Sequence, residues 1–362
     1  MKKMIAILLC LALVLALGGC AGTTVVVGNC TCPPESHSQE AIPDDLPPEG
    51  LLKTGLAILP DISGSTNANA DTNGKTDFDV TVVAVTVDDK GIIRSCVIDS
   101  VGVTAEFDAA GNPVDIAPGS TTMAANSVQV LSKNEKGFDY GMVKASKIGK
   151  EWFEQAAAFA SYAQGKTVEQ LKSITVNEEG KATDADLTTM ATMSISSYID
   201  GIEAAVANAK ALGAEAGHEL KMAVTATLET SVKEAGGMAQ LNLDAVALTV
   251  ADGVITSCTI DSLQAPVEFD GTGIITTDLN AAPRTKQQLG FDYGMVAYNA
   301  SKIGLEWFQQ VDNFCAYVSG KTPAEVAGIH VNEEKKPADV DLAAECSIKI
   351  ADFQKLIAKA VG

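Results

Sequence analysis

Apolar and polar residues alternate in several short stretches, which predicts β-strands because successive side chains of a strand point to opposite faces. Polar turns that end at Gly91 and Gly253 lie between β-branched runs, an arrangement typical of β-hairpins. The predicted strands are residues 56–62, 79–87, 92–98, 243–250 and 254–260.

From about residue 140 the spacing of the apolar residues becomes helical. A first helix is predicted to end at Gly165, and capping boxes at Thr167 and Thr322 begin two short helices. Further helices are predicted at 195–209 and 350–360. The fold class is therefore predicted as α+β, with an antiparallel β-meander packed against helices. The face of the first helix contains Ile148, Trp152, Phe159 and Ala163.

One unit of sequence occurs twice along the chain. The pentapeptide FDYGM appears in both copies, and residues 146–187 match residues 301–342 at 22 of 42 positions without a gap. The repeat is far longer than a solenoid repeat, so each copy is predicted to be a domain. We place the two tandem copies at 51–213 and 218–362.

The N-terminal segment has the features of a signal peptide. Two lysines precede an uncharged apolar run of 14 residues, Met4 to Leu17, which is short for a membrane span. The run ends in Leu-Gly-Gly-Cys20, which resembles the bacterial lipobox. We therefore predict a signal peptide at 1–19 and a lipidated Cys20 on the outer face of the cytoplasmic membrane. An ordinary secretory signal and a short membrane anchor are the alternatives.

The segment after the anchor is predicted to be a tether. Residues 20–50 contain five of the 12 prolines of the chain, a composition typical of a stiff linker. Cys30 and Cys32 in this segment are predicted to be free thiols, with a strained disulfide or a weak metal clip as alternatives. Cys96 and Cys258 lie in predicted strands and are expected to act as small apolar residues. No state is predicted for Cys315 and Cys346.

Composition excludes several classes of partner and activity. The chain has 46 acidic and 26 basic residues, and its net charge of −20 would repel nucleic acid. It has no Cys-x-x-Cys pair and three widely separated histidines, so no zinc site is predicted. Because the sequence also lacks a nucleophile elbow and a phosphate-binding loop, no hydrolase or kinase is predicted.

Near the end of each copy, an Asp precedes a hydroxyl residue by six positions. The first copy reads Asp186-Leu-Thr-Thr-Met-Ala-Thr192-Met-Ser, and the second reads Asp341-Leu-Ala-Ala-Glu-Cys-Ser347-Ile-Lys. With the preceding hairpin and helix, this order resembles the FMN-binding domains of exported bacterial flavoproteins, which end in Asp-x-x-Ser-Gly-Ala-Thr-x-Ser. The chain is also similar to a group of clostridial lipoproteins built from this unit.

This resemblance implies FMN as cofactor, with its phosphate esterified to the motif Thr. It makes Thr192 and Asp186 the first candidate site and Ser347 and Asp341 the second. The alternative is that no cofactor binds, and that Thr192 and Ser347 are residues at the N-cap of the last helix of each copy.

The motif departs from the family pattern in both copies. Its Gly is replaced by Met190 in the first copy and by Glu345 in the second. Bulk at this position hinders the close approach of a backbone to a phosphate, and a carboxylate repels it. The motif is therefore degenerate, and the second copy is expected to be unable to attach a flavin.

Other candidate residues have a structural and a functional interpretation. Trp152 and Trp307 are expected in the core, although Trp152, with Phe153 and Tyr140, would also suit a flavin ring. The acidic pairs that begin at Asp184 and Asp339 are expected near helix starts or turns, with a divalent cation site as the alternative.

Three functions are compatible with these features. The first is a non-catalytic surface lipoprotein that kept the fold and lost the cofactor. The second is an anchored flavoprotein that carries electrons to a redox partner, with FMN on Thr192. The third is a lipoprotein that presents a ligand to a membrane transporter. We expect the first.

Overall fold

The computed structural model of the protein describes residues 50–114, 127–233 and 235–362, except the side chain of Lys233. The predicted signal peptide, Cys20, Cys30 and Cys32 lie outside the described residues. Within the described part, no helix is long and apolar enough to cross a bilayer.

The described chain combines antiparallel sheets with helices, so the predicted α+β class is confirmed. There are two four-stranded sheets, and their strand orders are β3-β2-β1-β5 and β4-β6-β7-β8. In chain order the strands are β1 (Leu51–Asp61), β2 (Gly74–Val87), β3 (Ile93–Phe107), β4 (Ser127–Val130), β5 (Lys210–Glu215), β6 (Glu219–Lys233), β7 (Gly236–Ala251) and β8 (Val254–Asp270).

Helices follow the strands in the same order in the first half (51–213) and the second half (218–362). Those of the first half are α1 (Lys133–Lys136), α2 (Trp152–Ala163), α3 (Val168–Lys172), α4 (Ala185–Met190) and α5 (Ser196–Ala207). Those of the second half are α6 (Lys286–Leu289), α7 (Trp307–Val318), α8 (Pro323–Ala327), α9 (Val340–Glu345) and α10 (Ala351–Val361).

The local signals in the sequence are found where they were predicted. Both hairpins form, with Val87 opposite Ile93 and Ala251 opposite Val254. Thr167 and Thr322 each complete a capping box. Ile148 is an exception, because α2 begins only at Trp152 and Ile148 lies in the loop before it.

Three strands, β4, β5 and β6, were not predicted. One of them, β4, crosses the expected boundary. β4 comes from the first half but pairs with β6 of the second half, so that Val128 lies opposite Leu228. β5 pairs with β1 at the corresponding edge of the other sheet. The two halves are therefore joined by backbone pairing as well as by side chains.

Each sheet is buried on both faces. Val83 and Val85 of β2 pack under α2 and α5, while Val82 and Ala84 face the other sheet. In β7, Val246 and Leu248 contact the helices of the second half, whereas Ala245 and Ala247 face the first sheet. This alternation gives four layers, with helices outside and the two sheets packed together at the centre.

Corresponding residues of the two halves meet between the sheets. The rings of Phe107 and Phe269 stack with their centroids 4.0 Å apart and their planes 2° apart. A Cβ at Gly111 would lie 2.3 Å from the carbonyl oxygen of Asp270, and one at Gly273 would lie 3.0 Å from that of Asp108. Both glycines have φ near +70°, at +69° and +73°. Each of these glycines thus lies against the backbone of the other half, in a conformation that favours glycine.

We predict that Phe269→Ala lowers the free energy of unfolding by about 3–5 kcal/mol, because it removes one of the two stacked, buried rings. Urea unfolding measures the change. Phe291→Ala is the matched control, since that ring is 72% exposed, and it should cost less than about 1 kcal/mol. Equal losses in the two variants would contradict the assignment of Phe269 to the core.

Candidate functional site

The hydroxyl residues of the two motifs have the same hydrogen-bond partner. Thr192 donates both its amide and its hydroxyl proton to Oε1 of Gln155, at 2.8 and 3.2 Å. Ser347 does the same with Gln310, at 2.8 and 3.0 Å. Both glutamines are fully buried, on α2 and α7. Each motif is therefore held by a buried amide of the helix that packs beside it.

The other end of each glutamine holds the loop that precedes its helix. Nε2 of Gln155 donates to the hydroxyl of Ser146 and to the carbonyl of Lys150, at 3.1 and 3.0 Å. Nε2 of Gln310 donates to the hydroxyl of Ser301 at 3.3 Å and to a backbone carbonyl at 2.8 Å. Because donors and acceptors are all satisfied, burial of this amide is compatible with a stable core.

A buried glutamate lies one turn before each glutamine. Glu151 accepts hydrogen bonds from the amides of Met142 and Val143, at 2.8 and 3.1 Å. Glu306 accepts the two corresponding amides at 2.7 and 2.9 Å. Each glutamate is also the N-cap of its helix, so it fixes the FDYGM loop to the helix start.

The roles of these four residues were not predicted, although the sequence contains a signal for them. The glutamate and the glutamine are four positions apart, they lie on an otherwise apolar helical stripe, and they are identical in both copies. A polar pair on an apolar face indicates buried hydrogen bonds rather than solvent.

The alternative prediction that Thr192 and Ser347 cap the last helices is wrong. The N-caps of α5 and α10 are Ile195 and Ile350, and neither makes a side-chain capping bond. The motif residues lie three positions earlier, and their hydroxyl protons go to the glutamines instead. A flavin phosphate on Thr192 would thus be attached to a hydroxyl that is half-buried and already a donor.

The motif aspartates lie apart from this glutamine contact. Asp186 and Asp341 are exposed residues in the first turns of α4 and α9. Asp184 and Asp339 are the N-caps of these helices, each accepting two backbone amides, which confirms the expectation that the acidic pairs mark helix starts. In the described part of the chain, no group of three or more metal-ligating side chains is found.

The tryptophans are core residues, as expected. Trp152 and Trp307 are only 2% and 4% exposed, and they face their sheets from α2 and α7. The indole nitrogen of Trp152 donates to the hydroxyl of Tyr198 at 3.0 Å. Phe153 packs edge-on against Phe138 at 5.2 Å. Trp152 and Phe153 therefore both make contacts within the protein.

The four cysteines in the described ranges are buried and free. Burial raises the pKa of Cys96 to about 12 and that of Cys346 to about 11, so these thiols stay protonated and unreactive. Sγ of Cys258 lies 3.5 Å from Sγ of Cys315, between β8 and α7. The expectation that Cys96 and Cys258 behave as small apolar residues agrees with their burial.

A buried aspartate connects β3 to α1, and another connects β8 to α6. Oδ1 of Asp99 accepts the amide of Asn134 at 3.1 Å, and Oδ1 of Asp261 accepts that of Gln287 at 3.0 Å. Desolvation by burial raises the pKa of both carboxyls, to about 6 for Asp261, although these hydrogen bonds favour the ionised form.

Beside the second motif lies a cavity of about 620 Å³. Ser347, Trp307, Tyr293 and Lys286 are among the residues that line it. Glu345, expected to repel an anion near Ser347, is an exposed residue outside this lining. The cavity has a volume within the range of small-molecule sites and combines aromatic walls with charged side chains.

We predict that Asp261→Asn changes the pH dependence of stability. Between about pH 4 and pH 6 the folded Asp261 is protonated and the unfolded one is ionised, so the wild type loses stability as pH rises through this window. The difference in unfolding free energy, wild type minus variant, should fall by about 2–3 kcal/mol from pH 4 to pH 7. Urea titrations at each pH measure it. Asp99→Asn should shift in the same direction, and a flat difference for both variants would contradict the assignment.

Comparisons with known proteins add no family assignment. No family model matches the chain, and neither a curated protein nor a solved structure does. A function must therefore be argued from the chain's own residues.

Proposed function

We propose that the chain is a lipid-anchored binding protein of the outer face of the bacterial cytoplasmic membrane, without catalytic activity. In this proposal it consists of two copies of one FMN-binding-like unit that keep the fold and have lost the covalent cofactor. The anchor is Cys20, and the lipid on it is the contact with the membrane.

The observation that carries this proposal is the matched state of the two motifs. Thr192 and Ser347 are each held by a buried glutamine, so the local framework is intact in both halves. Yet the motif Gly is Met190 in one and Glu345 in the other. A scaffold that no longer carries its cofactor would keep the framework of the site, while the attachment position is free to change.

Support for the duplication comes from sequence and geometry together. The halves share 22 of 42 residues over the helical region and present the same order of helices. Phe107 contacts its own counterpart, Phe269, as expected for two copies related by a two-fold axis.

The transporter-linked alternative has less support. Lipoproteins that deliver ligands by closing two lobes need a cleft between them. Here the two halves share one apolar core, to which Val82, Leu228 and Leu243 all belong. A continuous core resists the hinge motion that such closure requires.

We predict that the mature protein from its native host is colourless. Its mass should equal the chain from Cys20 plus lipid, with no flavin on the peptide that contains Thr192. Intact-mass and peptide mass spectrometry, with the visible spectrum of the denatured protein, measure this.

Cys20→Ala is the control for the anchor, and it should leave an uncleaved precursor or release protein to the medium. Flavin absorption that survives denaturation, together with an FMN adduct on the Thr192 peptide, would contradict the proposal of a scaffold without cofactor. It would favour the electron-carrying flavoprotein instead. Normal cleavage and membrane partitioning of the Cys20→Ala variant would refute the anchor.

A further inference from the structure

The second half differs from the first at an aromatic position beside the cavity near Ser347. In the first half, the hydroxyl of Tyr198 accepts the indole N–H of Trp152. The corresponding residue of the second half is Phe353, which packs against Trp307 with ring centroids 6.3 Å apart but offers no acceptor.

The indole nitrogen of Trp307 is consequently a donor without an acceptor among the residues that the structure describes. Trp307 is only 4% exposed, and it lines the cavity. A buried donor in this position favours a ligand that brings an acceptor.

Charged side chains of both signs line the cavity, namely Lys286, Lys336, Lys349, Asp244 and Asp352. Asp352 forms an ion pair with Lys355 and Lys336 forms one with Glu334, each at 2.8 Å, and Asp244 accepts the hydroxyl of Ser262. Nζ of Lys286 instead lies over the rings of Tyr293 and Trp307, at 5.1 and 5.2 Å from their centroids.

Lys349 adds a second cation, at the position that Ser194 occupies in the first half. Within the described part of the chain, neither Lys286 nor Lys349 has a carboxylate at ion-pair distance. Lys286 and Lys349 are therefore available to pair with an anionic group of a ligand, even though the chain as a whole carries −20.

We propose that this cavity binds a small aromatic anion. Its flat ring lies against the aromatic side chains of Tyr293 and Phe353, its acidic group faces Lys286 and Lys349, and an acceptor atom receives the Trp307 N–H. This assignment deepens the proposed binding role by naming the ligand class. It depends on the second half alone and not on the lipid anchor.

Nuclear magnetic resonance of the full chain labelled with ¹⁵N-tryptophan tests the assignment. The chain has two tryptophans and therefore two indole N–H signals, which Trp152→Phe assigns. The probes are three molecules of similar shape: naphthalene-2-carboxylate, naphthalene-2-methanol and the naphthalen-2-ylmethylammonium cation. The carboxylate should shift the Trp307 signal saturably and leave that of Trp152 in place. The alcohol should bind about tenfold more weakly, and the ammonium should not bind.

Two variants reproduce first-half residues and should be tolerated by the fold. Phe353→Tyr supplies the missing acceptor and fills space, so it should weaken carboxylate binding by about tenfold or more. Lys349→Ser should bring the affinities for carboxylate and alcohol close together. Lys302→Ser removes an exposed lysine outside the cavity and should change neither affinity.

Equal binding of all three probes, no shift of the Trp307 signal, or full carboxylate affinity in a folded Phe353→Tyr protein would overturn the proposal. Titration with 1-naphthyl phosphate, compared with the carboxylate probe, shows whether the natural ligand is a carboxylate or a phosphate ester. Because these measurements use protein without flavin, their failure is distinct from the discovery of FMN on Thr192.

Discussion

Packing of one β-sheet against the other holds the two halves of the molecule together. Each sheet has an apolar face that points away from its own helices, with Val82 on one and Leu243 on the other. If the halves separated, both faces would be exposed to water, at a cost that grows with the apolar area. The central contact is therefore a condition for the fold of each half, and it orients the helical layers outward.

The outward helical layers then determine what the two motifs can do. Gln155 and Gln310 fix Thr192 and Ser347 at the same place in each half, so the frame of the site is a property of the fold. The residues around this frame differ between the halves. The hydroxyl of Tyr198 accepts the indole N–H of Trp152 in the first half, whereas Phe353 in the second half offers no acceptor to Trp307.

Local chemistry made much of the fold predictable. The hairpins follow from polar turns at Gly91 and Gly253, and the capping boxes at Thr167 and Thr322 mark helix starts whatever surrounds them. β4 was not predictable in this way, because it has four residues and its partner strand lies about a hundred residues further along the chain. Propensity carries little information about such short strands, and pairing with a distant strand decides them.

The site was only partly predictable, for a related reason. The motif located Thr192 and Ser347, but their partners were hidden, since a glutamine on an apolar stripe shows its role only when the residue it faces is known. The hydrogen bonding of the two indoles differs through a single oxygen atom, present in Tyr198 and absent in Phe353, whose importance appears only beside the indole that it contacts.

The most direct test of the shared core is urea unfolding of two single-tryptophan variants, followed by fluorescence and by far-ultraviolet circular dichroism. Trp307→Phe leaves Trp152 as a reporter of the first half, and Trp152→Phe leaves Trp307 as a reporter of the second. If the halves unfold as one unit, the two signals share one midpoint in each variant, and the loss of Trp152 also lowers the midpoint that Trp307 reports. Separate midpoints, or a Trp307 transition unaffected by the substitution at Trp152, would contradict the account.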